Sequence, residues 1–343
     1  MDDLEAARFR IYALQDGAVR SQTLSFLLRS GFFEVLANGP LPYEVLRVRA
    51  GLSGRVLPTI LAFTTSNGLT ELAPGGGYQL TAPARTFLLR ESPRYVGGRA
   101  LLFEGFFEAI GHLPEALRSG NPWTEAGQHD MFARFSEEER RTFAEGMFAN
   151  AAHGARILME QVDLGPRRRL LDLGGGGGGY AIPIAEAFPH ISVTIFDLPE
   201  VRTLAEDRIR LAGLEERIAF VPGSFFDDPL PRGHDVVLLS SILHDWDEAD
   251  CARILARCHA AIEPGGTVII TEPMLAEDFS GPDHPAASGL TMALLGGRNR
   301  TRSEVAALLE AAGFENHWQS ELLPQNSVVT ASRSRVVRWP HSQ

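Results

Sequence analysis

Apolar residues along this chain follow two different periods, and the change falls near residue 160. Before it, Ile11, Leu14 and Ala18, then Leu24, Leu27 and Leu28, recur at helical spacing. Gly31 interrupts the run, and Phe32 to Leu36 resume it as far as Asn38-Gly39-Pro40. Residues 42–50 and 55–66 are predicted as two further helices, separated by the turn Gly51-Leu52-Ser53-Gly54. Residues 69–72 and 78–80 read as short strands around Ala73-Pro74-Gly75-Gly76-Gly77, a hairpin that resembles a wing. Residues 95–160 are helical again and rich in aromatics. Phe103, Phe106, Phe107 and Ile110 share one face; Met131, Phe132 and Phe135 form a second cluster; Phe143, Met147, Asn150 and Ala151 lie on a third helix. Such stripes serve core packing first, but Met and Phe also suit a flat aromatic guest.

After residue 160, short apolar runs of strand length alternate with helices. The strands are predicted at 170–173, 192–196, 218–221, 235–239 and 267–270, with helices at 181–188 and 301–312. Alternation of this kind implies a parallel α/β sheet. Two more strands are predicted at 319–323 and 327–332, the last antiparallel. In open α/β sheets ligands bind beyond the carboxyl ends of the strands, so the loops carrying Asp172, Asp197, Ser224, His244 and Glu272 should converge on one crevice.

The first of these loops is the most unusual stretch of the chain. Leu170-Leu171-Asp172-Leu173 runs into six consecutive glycines and Tyr180. Glycine lets backbone approach a ligand that a Cβ would exclude, and a helix start after it offers free N–H groups to an anion. Gly174, Gly176 and Gly179 fit a dinucleotide pattern, although so many glycines fit several. The neighbours give it meaning: Asp172 sits inside the apolar strand, and Asp197 ends the next strand at the separation where a carboxylate grips ribose hydroxyls.

Composition removes several alternatives. The length of 343 residues suggests more than one domain, and 44% hydrophobic residues is ordinary for a globular protein. A net charge of −11 argues against nucleic acid or an anionic membrane as partner. No apolar run reaches the roughly twenty residues that span a bilayer. The first residues, Met1-Asp2-Asp3-Leu4-Glu5, are acidic where a secretory signal is basic, so a cytoplasmic location is expected. Cys251 and Cys258 share a helical face with Ile254, Leu255 and Ile262 and read as core thiols. The helix, turn, helix and wing also outline a winged-helix regulator, but the 55–66 helix carries Arg55 as its one base, too few for phosphate steering. A protein–protein role, most simply dimerisation, suits that region better.

His244 is the sharpest chemical candidate. It follows an apolar strand at the ligand edge, imidazole titrates near ~6.5, and Glu272 at the end of the next strand is placed to orient the ring. His244 and Asp245 together are also a possible pair of metal ligands, with His284 or Glu272 as a third.

The ordered series of helical winged region, Leu-Leu-Asp-Leu-Gly-Gly-Gly at 170–176, Phe-Asp-Leu-Pro at 196–199, Leu-His-Asp-Trp at 243–246, Arg-Thr-x-x-Glu at 300–304 and Ala-Ala-Gly-Phe at 311–314 resembles one family. It is that of the S-adenosylmethionine-dependent O-methyltransferases of the plant caffeic-acid and flavonoid type, with their bacterial natural-product relatives. The resemblance implies a class I methyltransferase domain with a seven-stranded sheet over residues 161–343. It implies a winged-helix-like dimerisation domain over 1–95 that makes a homodimer, and linking helices over 96–160 that contribute to the substrate pocket. By motif, Asp172, Gly174, Gly175 and Gly176 would cradle the methionine end of S-adenosylmethionine, Asp197 and Leu198 its ribose, and Phe225 its adenine. Ser224 and Ser240 stand at cofactor positions where plant members have an aspartate and often a lysine. His244 would be the general base, with Glu272 and Asp245 beside it. Phe107, Phe143, Met147, Asn150, Met292 and Asn299 would line the substrate site, Asn299 replacing a second carboxylate of the plant enzymes. The substrate expected is a hydroxylated aromatic small molecule of specialised metabolism, and no metal is required.

Three alternatives stay open from sequence: a C- or N-methyltransferase on the same fold, including a metal-assisted enzyme acting on 2-oxo acids; a nicotinamide oxidoreductase sharing the glycine pattern; and a winged-helix regulator with a small-molecule sensing domain.

Overall fold

The computed structural model describes residues 3–92, 94–105, 107–123 and 137–334. Phe106, Met131, Phe132 and Phe135, singled out above, lie outside the described residues, and the side chains of Phe103 and Phe143 do as well. The chain forms two compact units, one of residues 1–106 with 145–149 and one of residues 107–144 with 150–343.

In the first unit, helices α1 (Asp3–Gln15), α2 (Gly17–Arg29), α3 (Phe32–Val35), α4 (Tyr43–Arg49) and α5 (Leu57–Ser66) lead into strands β1 (Thr70–Leu72) and β2 (Tyr78–Leu80). Helices α6 (Ala82–Leu88) and α7 (Gly97–Gly105) follow. The core is made by Leu27, Leu28, Phe32, Phe33, Leu36, Leu46, Leu57, Leu61 and Leu80. Gly31, at φ +72°, adopts the left-handed backbone that breaks α2 from α3 without losing either apolar face. The hairpin pairs Thr70 with Leu80, and Leu41 exchanges backbone hydrogen bonds with Tyr78 at its edge. Helix α1 buries none of its residues, and Leu4, Phe9, Ile11, Tyr12 and Leu14 all stand exposed.

The second unit is built on a seven-stranded sheet. Its helices before the sheet are α8 (Phe107–Ile110), α9 (Leu113–Ser119) and α10 (Glu137–Gln161), of which residues 145–149 cluster with the first unit. The strands are β3 (Arg169–Leu173), β4 (Ser192–Asp197), β5 (Ile218–Pro222), β6 (Val236–Ser240), β7 (Thr267–Glu272), β8 (Glu315–Gln319) and β9 (Ser327–Ser332), in the order β5-β4-β3-β6-β7-β9-β8. The first five are parallel; β9 runs antiparallel to both β7 and β8. Helices α11 (Ala181–Ala187), α12 (Arg202–Leu211), α13 (Glu248–Ala261), α14 (Asp283–Leu295) and α15 (Arg302–Ala311) complete it. Central strands β6 and β7 are buried almost throughout, which is why they read as unbroken apolar runs. Cys251, Ile254, Leu255 and Cys258 form the buried face of α13, and both cysteines are free thiols.

One strand differs from expectation. The predicted 319–323 strand lies instead at Glu315–Gln319, with a register irregularity between Glu315 and Trp318. Its residues, Glu-Asn-His-Trp-Gln, are mostly exposed at the edge of the sheet, so no alternation marks them. Leu322 and Leu323, which suggested the strand, belong to the loop before β9.

Candidate active site

The direction of the sheet's crossovers reverses between β3 and β6, and a ligand crevice opens at the carboxyl ends of two such strands. There the two loops meet: a Cβ on Gly174, at φ +71°, would collide with Cδ1 of Ile242. A Cβ on Gly175 would fall 2.6 Å from the Asp172 carboxylate, whereas Gly176, at φ +53°, opens on empty space. The glycines thus allow close packing on one side and leave room for a guest on the other.

Two carboxylates face this cradle. Asp172 is fully buried, and its Oδ2 has no hydrogen-bond partner. Burial, with the charge of Asp197 adding, pushes its carboxyl up to about 7. A buried carboxylate oxygen left unpaired is costly unless a cation or donor completes it. Asp197 Oδ2 accepts from Gly176 N at 2.7 Å and Oδ1 from Leu198 N at 2.6 Å. Burial raises it to about 6 despite those two bonds. Each oxygen keeps one lone pair for a vicinal diol. Phe225 edges Phe226 and Trp246, with ring centroids 4.9 and 5.9 Å apart, and its Cε1 lies 3.9 Å from the Cβ position of Gly174. Ser224 turns its hydroxyl to Asp227 at 2.9 Å, and Ser240 ends β6 half-buried.

His244 sits on a 3-10 turn, Leu243–Asp245, directly after β6, with its ring almost buried. Two anchors fix that turn from opposite sides. Glu272, buried at the end of β7, accepts from Leu243 N at 2.6 Å and Ile242 N at 3.2 Å through Oε1. Arg300, fully buried, donates to Leu243 O at 2.8 Å and Trp246 O at 2.9 Å and reaches Glu248 at 3.3 Å. The strained backbone of Ser241, a non-glycine residue at φ +54°, is held within this clamp.

Glu272, expected beside the imidazole, holds the turn that carries it. Through Oε1 it takes the backbone N–H groups of Ile242 and Leu243, and no described bond joins it to the ring. Nδ1 of His244 lies 3.3 Å from Asn299 Oδ1, and Nε2 lies 3.5 Å from Asp245 Oδ1. Burial raises Asp245 to about 6, against the opposing pull of His244. Among the described residues no group of three His, Cys, Asp or Glu side chains could hold a metal ion.

Of the residues expected on the substrate side, Phe107 lies on α8 and Met292 on α14, which pack together. Asn150 on α10 shares a small polar cavity with Gly154, Thr271, His284, Gln325 and Asn326, beside the end of β7. Met147 falls in the first unit and is half-buried there. Reading the sequence overlooked Tyr180 and Arg300. A Cβ on Gly154 would collide with the Tyr180 hydroxyl, so the small residue on α10 makes room for it. Arg300 carried a usable signal: it precedes Thr301-x-x-Glu304, a capping box that starts α15 and therefore places the arginine at the loop.

The sheet order and the glycine cradle define a class I methyltransferase domain, and the comparisons agree. The crystal structure of human N-acetylserotonin methyltransferase in complex with S-adenosylmethionine superposes with a TM-score of 0.88 at 28% identity, covering 97% of this chain and 99% of that one. The family described as the O-methyltransferase domain matches residues 111–315. A 3-hydroxy-5-methyl-1-naphthoate 3-O-methyltransferase of Streptomyces sahachiroi is 40% identical over 88% of this chain and 87% of its own length. Acetylserotonin O-methyltransferase of Gallus gallus is 34% identical over 89% and 91%. The chain belongs to the O-methyltransferase family and is an S-adenosylmethionine-dependent enzyme. The cradle fits that cofactor on its own evidence, through the orphaned oxygen of Asp172 and the open face of Gly176.

Proposed function

We propose that this enzyme methylates a hydroxyl group on an aromatic small molecule of specialised metabolism, with His244 as general base. The observation that carries the reading is the ring of His244, buried at the switch-point edge of the sheet with Nε2 turned away from its amide partner. A phenolic hydroxyl titrates near ~10 and is a poor nucleophile at neutral pH until a base accepts its proton. The cofactor, when bound, supplies an activated methyl group on a sulfonium. Asp172 faces its positively charged methionine end, and Gly174, Gly175 and Gly176 give that end room. Asp197 takes the ribose hydroxyls on its spare lone pairs, with Leu198 N–H holding the carboxylate still. Phe225 packs against the adenine, with Ser224 and Ser240 at its margins.

On the acceptor side, Phe107 and Met292 offer apolar contact to a ring, and Asn150 a polar end. The naphthoate relative at 40% identity supports a bicyclic or similarly flat aromatic acceptor. Asp245 stabilises the imidazolium once Nε2 is protonated. The first unit acts as a winged-helix domain that joins two copies, since the exposed apolar residues of α1 need a cover. Two buried free thiols accord with a reducing, cytoplasmic setting.

Mass-shift assays on hydroxynaphthoates, hydroxyindoles and 2-oxo acids, with and without a chelator, test the reading. The expected result is chelator-insensitive methylation of a phenol that His244→Ala abolishes while S-adenosylhomocysteine still binds. Chelator-sensitive methylation of an oxo acid would instead make His244 and Asp245 metal ligands.

A further inference from the structure

We propose that Asn299 selects the tautomer of His244, holding the ring proton on Nδ1 so that Nε2 keeps its lone pair for the acceptor hydroxyl. The inference rests on His244 acting as the base.

The orientation of the Asn299 amide is decided by its neighbours. Its nitrogen donates to Pro285 O at 2.6 Å and to Ser288 Oγ at 3.2 Å, both on α14. Turning the amide over would press Oδ1 against the Pro285 carbonyl, which has no hydrogen to give. Oδ1 therefore faces Nδ1 of His244, and an amide oxygen only accepts. In the neutral ring, the proton belongs on Nδ1.

An opposing pull makes this selection matter. Asp245 Oδ1 lies 3.5 Å from Nε2, and a carboxylate there draws the proton to Nε2, where the ring can no longer act as a base. Asn299 is buried, at 4% exposure, whereas the Asp245 side chain keeps 21% and, with its carboxyl raised to about 6 by burial, is a weaker anion than a free aspartate. The shorter, drier contact wins, and the neutral ring is ready to accept a proton. Afterwards Asp245 faces an imidazolium and becomes a favourable partner.

The other ionisable groups packed around the turn are occupied elsewhere. Glu272 from β7 is spent on the backbone of residues 242 and 243. Arg300 is spent on the carbonyls of Leu243 and Trp246, with Glu248 beside it. The Cys251 thiol from α13, pushed up to about 12 by burial, donates to Leu243 O and stays neutral. His284, at the start of α14, lines the polar cavity. None of these bonds reaches the ring.

The test reads the proton directly. Full-length enzyme labelled with 15N-histidine gives ring nitrogen shifts that separate the two tautomers, and the His244 signals are those missing in His244→Gln. The expected wild-type spectrum has a protonated Nδ1 and a bare Nε2. Asn299→Leu should move the proton to Nε2 and lower kcat by roughly tenfold or more, with KM for the cofactor unchanged. Asn299→Asp keeps an acceptor at Nδ1 and should keep the tautomer, but its added charge favours the imidazolium and shifts the acid limb of kcat/KM to higher pH. That variant still reports if the leucine variant folds poorly. A wild-type proton on Nε2, or an Asn299→Asp profile superposing on wild type, overturns the proposal. A His244→Gln enzyme that still methylates would sink the base reading alone and leave the tautomer to be judged by its spectrum.

Discussion

The two sides of the crevice are built by different means. The proposed cofactor side is mostly backbone from one short stretch, glycines 174–176 and the N–H groups of Gly176 and Leu198, with two carboxylates one strand apart. The acceptor side is made of side chains drawn from far along the chain. His244 meets Asn299 across 55 residues, Leu243 meets Glu272 across 29, and Arg300 reaches Leu243 across 57. A backbone cradle binds what every member of a fold must bind, while a side-chain lattice can be re-cut for one acceptor. Damage to the first should appear in cofactor affinity, and damage to the second in turnover.

The largest effect should come from Gly174→Ala. The added methyl meets Ile242 and forces a side-chain residue to φ +71°, a strain on the order of 1–3 kcal/mol. Calorimetry should show S-adenosylhomocysteine affinity down by roughly 10–100-fold. Unchanged affinity would mean that the two loops separate more easily than their contact implies.

Arg300→Met tests the other side. Its loss removes the charged donor from the Leu243 and Trp246 carbonyls, each such bond worth about 1.5–3 kcal/mol, and leaves them only the weaker Cys251 thiol and, for Leu243, the Trp246 N–H. The melting temperature should fall, and the loosened turn should lower kcat about tenfold with cofactor affinity nearly intact. Lysine should not rescue, because one ammonium cannot reproduce the forked contact. Equal loss of affinity and turnover would erase the distinction between the two sides.

The same contrast explains what was legible in the sequence. The cradle lay in one contiguous stretch with the strands on either side marked by apolar runs, so Asp172, the glycines and Asp197 could be placed without a structure. His244 was found because it directly follows β6. Its amide neighbour Asn299 came from the family resemblance alone, as the replacement for a second carboxylate, because nothing local tells which group 55 residues away will face a given nitrogen. Glu272 was placed at the right strand end, but its bonds to the backbone of residues 242 and 243 depend on strand register, which sets its depth and is not written in the local sequence. Edge strand β8 escaped for the opposite reason, since an exposed polar strand carries no period to read.

The cofactor side should also respond to pH. Asp172 titrates near 4 in an unfolded chain and at about 7 in the folded one. Between those values the folded protein holds a proton that the unfolded chain has released. The group's contribution to stability is therefore complete below about pH 4 and is lost as pH rises through 7. Without cofactor, Asp172→Asn should match wild type in melting temperature near pH 4 and exceed it increasingly up to pH 8. With cofactor, the ionised wild-type carboxylate gains its cation, so affinity should strengthen from pH 6 to 8 in wild type and stay flat in the variant. A melting difference that does not change with pH would show that Asp172 ionises as freely as an exposed aspartate.

The smallest effect separates the cofactor side from itself. Ser224 stands where related plant enzymes place an aspartate toward the adenine, yet here the hydroxyl serves its own turn. It donates to Asp227 at 2.9 Å and accepts from Phe226 N at 3.2 Å, while Asp228 takes the backbone N–H of Ser224 at 2.9 Å. Ser224→Ala removes one partly solvated hydrogen-bond pair, worth about 0.5–1.5 kcal/mol, from a loop whose remaining bond still holds its shape. Affinity for S-adenosylhomocysteine should change by no more than about threefold, and Phe225→Ala should cost more because it removes the apolar surface itself. If Ser224→Ala weakens binding tenfold, the hydroxyl faces the adenine after all, and the cofactor side too depends on a side chain chosen for this chain alone.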